Sequence, residues 1–394
     1  MKRLEVLSSR SPRVEQKKTI FLTGATGIVG SQLLLELMSR EDIGRIICLI
    51  RGKNRAEAQA RLESLVGPLS DHCSVVTGDI TSPLCGFNHN ELRELARESI
   101  DVVVHCAACT KMDASLQREI FETNAIGTGN VISMIRMLEY FSDANGSIHL
   151  HYISTAYQAD GHDKTYGLNN SYELSKYVAE LQVQVSQIPF SISRIPIVIG
   201  RSSDGWIAGH SGYTAFMAVF NTMAQRIRRK EGLADNTEIY LPVTIRCTAE
   251  SNLNLVMVDW VAKMLAHVTC IEPQKKIVYL VHPNPPNARW VLRKGLEFLG
   301  ITGVNFGDEP KAHEPHHAEQ QIIIRLVDSP FTPYLTKVAG FQSRASEVAE
   351  VIGNDYQEHE AITPQVIERV LGFSREMDFK NGICSPQKLK TMQA

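Results

Sequence analysis

Apolar residues fall into two alternating rhythms up to about residue 200. Short runs rich in apolar residues, Ile20-Phe21-Leu22, Arg45 to Ile50, Cys73 to Thr77, Asp101 to His105, Ser147 to Ile153 and Phe190 to Arg194, read as buried strands. Between them the apolar positions take helical spacing, over Ser31 to Met38, Arg55 to Val66, Asn90 to Glu98, Leu116 to Phe141 and Ser171 to Glu180. Strand and helix in strict alternation predict an α/β fold, a Rossmann-type doubly wound parallel sheet with helices on both sides.

Beyond Gly205 the alternation loosens. A helix is expected over Thr214 to Lys230, a short strand and helix over Asn254 to Val268, and a strand over Ile277 to Val281, after which Pro283, Pro285 and Pro286 interrupt the chain. The expected organisation is a flexible lead-in at 1–17, a Rossmann-type domain at 18–204 to which 254–282 return, and a smaller second region made of 205–253 and 283–394.

The first strand and first helix meet at Gly24-Ala-Thr26-Gly27-Ile28-Val29-Gly30. A tight turn into a helix leaves the first helical N–H groups aimed outward, backed by the positive end of the helix dipole, and a pyrophosphate fits there. The glycines are spaced Gly-x-x-Gly-x-x-Gly, not the Gly-x-Gly-x-x-Gly of the commonest dehydrogenases. The second strand ends in Arg51, with Lys53 and Arg55 behind it, where an NAD-specific fold carries an acid for the ribose 2′-hydroxyl. Cations there suit the 2′-phosphate of NADP; a solvated helix start is the structural alternative. Asp79-Ile80 closes the third strand, where a carboxylate serves the adenine amino group or caps the turn. The small residues Cys106-Ala107-Ala108 follow the fourth and leave room for phosphates and the nicotinamide ribose.

The fifth strand ends in Ser154-Thr155, and Tyr172 and Lys176 follow one helical turn apart. A phenol with a pKa near 10 exchanges protons poorly at neutral pH. An ammonium one turn away is expected to draw it down, and a hydroxyl at the neighbouring strand end to hold a substrate oxygen beside it.

Composition narrows the setting. Hydrophobic residues make up 43% and charged residues 21% of 394, with a net charge of −2, which is ordinary globular composition and gives no reason to expect nucleic acid or a membrane surface as the main partner. No apolar run is long enough to span a bilayer and the charged lead-in has no signal-type apolar core, so the cytoplasm is the expected compartment. The eight cysteines form no disulfide-like framework. Cys106 and Cys109 have redox or metal spacing, but no matching second pair accompanies them and small residues after a strand have another use; His313, His316 and His317 read as a surface loop, so no metal is expected. The basic run Arg226 to Lys230 is either a solvated helix end or a docking patch for an acidic carrier or coenzyme A, and the apolar positions from Phe216 to Ile227 either pack in the core, as their helical spacing favours, or line an acyl channel.

These residues together resemble the extended short-chain dehydrogenase/reductase superfamily over Lys18 to Val281. Thr23-Gly-Ala-Thr-Gly-Ile-Val-Gly30, Cys48-Leu-Ile-Arg-Gly52 with Ala56 to Leu62 behind it, Gly78-Asp79, Ser154-Thr155-Ala156 and Asn254-Leu-Val-Met-Val-Asp259 are most similar to its thioester-reductase and fatty-acyl-reductase branch. The resemblance implies an oxidoreductase that uses NADPH to reduce a carrier- or CoA-bound acyl thioester to an aldehyde, in some members to an alcohol, with an acyl carrier protein as a partner. It implies Thr155, Tyr172, Lys176 and Asn124 as the catalytic set. For the cofactor it implies Gly24, Thr26, Gly27, Ile28, Val29, Gly30, Arg51, Asp79, Ile80, Ala107 and Ala108 together with Tyr172 and Lys176. His105-Cys-Ala-Ala-Cys109 departs from the branch's His-x-Ala-Ala wording. The alternatives are a nucleotide-sugar epimerase or dehydratase or a hydroxysteroid-type dehydrogenase of the same superfamily, and a non-catalytic sensor of NADP redox state.

Overall fold

The computed structural model describes residues 17–142, 147–158, 168–210, 212–272, 277–307, 329–338, 340–377 and 379. His313, His316 and His317, and all but the last residue of the lead-in, lie outside them. The strands are β1 (Lys18–Thr23), β2 (Ile43–Ile50), β3 (Cys73–Thr77), β4 (Val102–His105), β5 (His149–Thr155), β6 (Phe190–Ile195), β7 (Ile197–Ile199), β8 (Ile239–Tyr240), β9 (Thr244–Arg246), β10 (Leu255–Met257), β11 (Ile277–Tyr279), β12 (Ile301–Thr302) and β13 (Asn305–Gly307). The helices are α1 (Ile28–Ser39), α2 (Arg55–Val66), α3 (His89–Ala96), α4 (Gln117–Phe121), α5 (Gly127–Phe141), α6 (Ser171–Val185), α7 (Gly212–Glu231), α8 (Val258–Cys270), α9 (Ala288–Phe298), α10 (Ser329–Leu335), α11 (Ser346–Ile352) and α12 (Pro364–Glu376).

Seven strands form one sheet in the order β11-β6-β5-β4-β1-β2-β3, and every pairing in it is parallel. The order reverses between β1 and β4. Connections leave those two strands toward opposite faces, and a crevice opens beyond their carboxyl ends. Alternation within β1 divides the core. Ile20 and Leu22 join one apolar cluster with Leu33 and Leu37 of α1, Leu62 of α2 and Val261 of α8; Phe21 joins the other with Leu92 of α3, Val131 of α5 and Val183 of α6. The first cluster continues through Phe220 of α7, Leu292 of α9 and Val370 of α12. Short parallel pairs, β7 with β10, β8 with β12 and β9 with β13, carry the rest of the chain around the carboxyl edge of the sheet.

Two local features separate the structure from the expected pattern. The helix expected over Leu116 to Phe141 contains a wide π turn at Glu122–Ile126, between α4 and α5. Such turns insert one residue into the helix and often mark functional sites. At the end of α7, Arg228 turns inward, so the basic run is not uniformly solvated. Its guanidinium donates to the carbonyls of Thr237 at 2.8 Å and Leu299 at 3.1 Å, while Arg226, Arg229 and Lys230 stay exposed.

Candidate active site

The turn after β1 is fixed by two close approaches. Gly24 has φ +80°, and a Cβ there would lie 2.5 Å from the Ala107 nitrogen. A Cβ on Gly30 would lie 2.1 Å from the Gly24 carbonyl oxygen, so α1 rests directly on the turn. At Gly27 an added Cβ has a single neighbour within 4 Å, the Gly24 oxygen at 3.2 Å, and so would occupy cleft space and not core space. No side chain caps α1 and its first turn carries no acid, which leaves its amino end suited to an external anion.

This turn forms one end of a cleft of about 500 Å³. Thr26, Ile28, Val29, Arg51, Asp79, Ile80, Ala107 and Ala108 line it with the three glycines, and so do Thr155, Tyr172 and Lys176 at the other end. The cleft therefore gathers residues from the ends of β1 to β5 and from the first turns of α1 and α6. Asp79 also caps its own turn, since its Oδ1 accepts from the Thr81 backbone N–H and hydroxyl, both at 2.9 Å. Asn124 alone of the expected site residues does not line the cleft. It is buried on the π turn, where its Oδ1 accepts from the Cys109 N–H at 2.7 Å and its Nδ2 donates to the Cys109 carbonyl and the Ser175 hydroxyl, both at 2.9 Å. It clamps the loop after β4 to the helix that carries Tyr172 and Lys176, and so acts on position.

Arg61, which the sequence reading did not single out, also lines the cleft. Its guanidinium spans the Arg51 carbonyl at 3.2 Å and the Thr26 hydroxyl at 3.4 Å, so two arginines border the cleft where β2 ends. The dinucleotide that such a turn binds fits this lining: an uncapped helix end at the glycines, guanidinium groups beside β2, and small side chains at Ala107 and Ala108.

At the other end, Lys176 is buried. Its Nζ donates to the Ile153 carbonyl at 2.7 Å and stands 4.2 Å from the centre of the Tyr152 ring. Burial draws the ammonium down to about 8, with the Cys106 thiol and the Glu180 carboxylate acting in the opposite direction. Tyr172 is half-buried at the cleft wall. Desolvation and then the neighbouring Glu173 push its phenol above the ordinary value, and a hydrogen bond with the Thr155 hydroxyl works the other way. The net shift of Tyr172 is therefore upward and not the expected lowering, because desolvation outweighs the groups that favour the phenolate. The ammonium is committed to the Ile153 carbonyl and the Tyr152 ring, and desolvation governs the phenol, which keeps its proton at neutral pH. Cys106 lines the cleft with its thiol raised by burial to about 11, far from thiolate chemistry at neutral pH. Among the described residues no group of three His, Cys, Asp or Glu could hold a metal ion.

The remaining wall is apolar. Tyr213 and Phe216 of α7, Leu253, Leu292 of α9, and Phe331 and Leu335 of α10 line it. Of the two readings of the α7 face, Phe220, Met223 and Ala224 pack in the core, while Phe216 both joins the core and lines the cleft. Among the described lining residues the lysines and arginines are Arg51, Arg61 and Lys176, none of them in this apolar part.

A parallel sheet reversing at β1 and β4, with a glycine-cornered cleft at that reversal, is the doubly wound dinucleotide-binding fold of the extended short-chain dehydrogenase/reductase type. Within that type, the chain belongs to the NAD-binding family described as "Male sterility protein", whose profile matches residues 22–265. A carboxylic acid reductase of Mycobacterium marinum is 32% identical over 133 residues, 30% of this chain and 11% of that protein. Fatty acyl-CoA reductase wat of Drosophila melanogaster is 28% identical over 181 residues, 41% of this chain and 34% of that protein. The chain thus spans 11% and 34% of the length of these two relatives. The terminal R domain from the myxalamid PKS-NRPS biosynthetic pathway superposes with a TM-score of 0.68 at 20% identity, covering 94% of this chain and 93% of that one, a likeness of fold. Among the described residues no helix is long and apolar enough to cross a membrane.

Proposed function

We propose that this protein is an NADPH-dependent reductase of acyl thioesters, carried on coenzyme A or on a carrier protein, and that it yields the aldehyde. The observation that carries this reading is the contrast along one cleft: guanidinium groups at the β2 end, and Thr155, Tyr172 and Lys176 beneath an apolar wall at the other. A nucleotide-sugar enzyme needs cations for the substrate diphosphate, and the apolar part of the described lining offers none. The relatives that act on acyl groups support the same reading.

Gly24, Gly27 and Gly30 and the amino end of α1 would hold the pyrophosphate, and Arg51 and Arg61 the 2′-phosphate. A reduced nicotinamide, when bound, supplies hydride to the thioester carbonyl carbon. Thr155 and Tyr172 hold the carbonyl oxygen, on which negative charge develops, by hydrogen bonds. Tyr172 keeps its proton at Oη until that oxygen becomes basic enough to take it. Lys176, held by the Ile153 carbonyl, keeps a positive charge one helical turn away and so lowers the cost of a transient phenolate. The resulting hemithioacetal then breaks its C–S bond: its hydroxyl proton returns to the Tyr172 phenolate as the aldehyde carbonyl forms, and the sulfur leaves as a thiolate that takes a proton from solvent. The apolar wall excludes water and takes the acyl group.

The test is a panel of acyl-CoA, carrier-bound acyl and free aldehyde substrates with NADPH or NADH, followed by loss of the reduced nicotinamide absorbance. Stoichiometric thiol release with NADPH consumption is expected. NADPH consumption only with nucleotide sugars or steroids would overturn the reading.

A further inference from the structure

Beside Tyr172 stands Glu173, fully buried, which the chemistry above does not use. Its carboxylate accepts from the Tyr334 hydroxyl at 2.6 Å, from the Asn169 backbone N–H at 2.7 Å and from the Asn169 side-chain amide at 3.0 Å. The Tyr334 oxygen in turn accepts from Asn170 Nδ2 at 2.8 Å, and Asn170 Oδ1 caps α6 by accepting from the Glu173 N–H at 2.9 Å. The Lys337 ammonium donates to Asn169 Oδ1. The first turn of α6 is thus tied to α10 and the residues after it by charge-assisted and neutral hydrogen bonds that lie largely out of water.

The ring of Tyr334 makes a second tie. It stands edge-on to Tyr157, with centroids 4.9 Å apart and planes at 89°, and the Tyr157 N–H donates to Thr155 Oγ1 at 3.3 Å. Tyr334 therefore touches both the strand end that carries Thr155 and the helix that carries Tyr172. On the same short helix Phe331 and Leu335 line the apolar part of the cleft, Phe331 edge-on to Phe216 at 5.2 Å. A tyrosine hydroxyl has one proton to give. Here it goes to Glu173, so Tyr334 is placed to position its neighbours and not to protonate a substrate.

We propose that Tyr334 is a positioning residue that seats α10, a wall of the acyl site, on the first turn of α6 and on the Thr155 strand end, so that an acyl group reaching α10 is held in register with Tyr172. This rests on the acyl-reductase reading and extends it to substrate selection. The benefit falls on acyl groups long enough to touch Phe331 and Leu335, whereas an acetyl group gains little and the cofactor end of the cleft nothing.

The experiment compares wild type, Tyr334→Phe and Glu173→Gln with acetyl-CoA and octanoyl-CoA as probes, together with NADPH binding by fluorescence and amide hydrogen exchange of the NADPH-loaded protein. Either variant should raise KM for octanoyl-CoA about tenfold, the loss expected for one buried charge-assisted hydrogen bond. KM for acetyl-CoA and the NADPH Kd should stay within about twofold, and exchange should quicken in residues 329–338 and 169–174. An equal loss on both thioesters, a loss confined to NADPH binding, or unchanged KM for octanoyl-CoA would overturn the proposal. If wild type reduces neither thioester, the coenzyme A form of the acyl-reductase reading falls, and the exchange comparison then decides the tie by itself: unchanged protection in both variants rejects it.

Discussion

Replacing Lys176 by methionine should make the protein more stable and nearly inactive. Folding lowers the Lys176 ammonium from 10.5 to about 8, with burial as the leading cause. The fall corresponds to about 3 kcal/mol against the charged form. The sign follows from proton linkage. The unfolded chain binds this proton more tightly than the native one, so the penalty is present in full below about pH 8 and fades as pH rises toward 10.5. The side chain is only 3% exposed, so solvent screening relieves little of it. Methionine keeps most of the apolar stem and removes the charge; it also forfeits the bond to the Ile153 carbonyl and the contact with the Tyr152 ring, which already count in the net figure. Urea unfolding at pH 7 should show Lys176→Met stabilised by about 1–3 kcal/mol. In the wild type, kcat for NADPH-dependent thioester reduction should decline as pH rises through about 8, where the ammonium is lost. A variant less stable than wild type at pH 7, or a rate that stays level from pH 7 to 10, would refute the argument that a charge is held here at a cost to the fold.

Tyr172→Phe should lower kcat by about 10²–10⁴-fold, the usual worth of a positioned proton donor, with NADPH binding by fluorescence unchanged; retention of near wild-type turnover would remove Tyr172 from the mechanism. Arg61→Ala should cut the preference for NADPH over NADH by about tenfold or more, one charge-assisted phosphate contact, read as the ratio of kcat/KM for the two cofactors; an equal fall with both would assign Arg61 to structure alone. His359 holds the loop before α12 to β10: its Nε2 accepts from the Met257 N–H at 2.7 Å and its Nδ1 donates to the Glu360 carbonyl at 2.5 Å. Burial lowers it to about 4 from 6.5, so its contribution to stability is whole above about pH 6.5 and is lost as pH falls toward 4, about 3 kcal/mol in all. In His359→Gln the loss of stability between pH 6.5 and 4, followed by urea midpoints, should be shallower by about one proton; an unchanged slope would place the acid sensitivity elsewhere.

The sheet and the nucleotide corner were legible because their signals are local. An apolar run, three glycines and a change of period within twenty residues specify strand, turn and helix, and Tyr172 and Lys176 declare a shared face by their spacing alone. Arg228 was also within reach: Phe220, Ala224 and Arg228 stand four apart and all are buried, so helical phase, followed past the last apolar residue, turns Arg228 inward. Arg61 was harder, since its approach to Thr26 depends on how α2 is rotated about its axis against the sheet. The π turn at Glu122–Ile126 leaves no compositional mark, and without it Asn124 would be one residue out of phase with the loop it clamps. Tyr334 meets Glu173 across 161 residues of chain, beyond any spacing rule.

What those longer-range contacts do is join the two ends of the cleft. The Thr23 hydroxyl, beside the glycine turn, contacts His105 Nδ1 at 2.8 Å; His105 Nε2 contacts the Thr128 hydroxyl at 3.1 Å; Thr128 donates to the Asn124 carbonyl at 2.6 Å. Asn124 reaches Ser175, whose hydroxyl bonds the Tyr172 carbonyl at 2.7 Å. Burial draws His105 down to about 3, so the imidazole is neutral and bonds through both nitrogens, one as donor and one as acceptor. A polar chain of this kind, buried in a parallel α/β core, loses more than one bond when any member is removed, because each neighbour is left unsatisfied out of water. Its value lies in rigidity. The corner that suits a pyrophosphate and the helix that carries Tyr172 are held at one separation, and hydride transfer needs donor and acceptor aligned to within a fraction of an ångström.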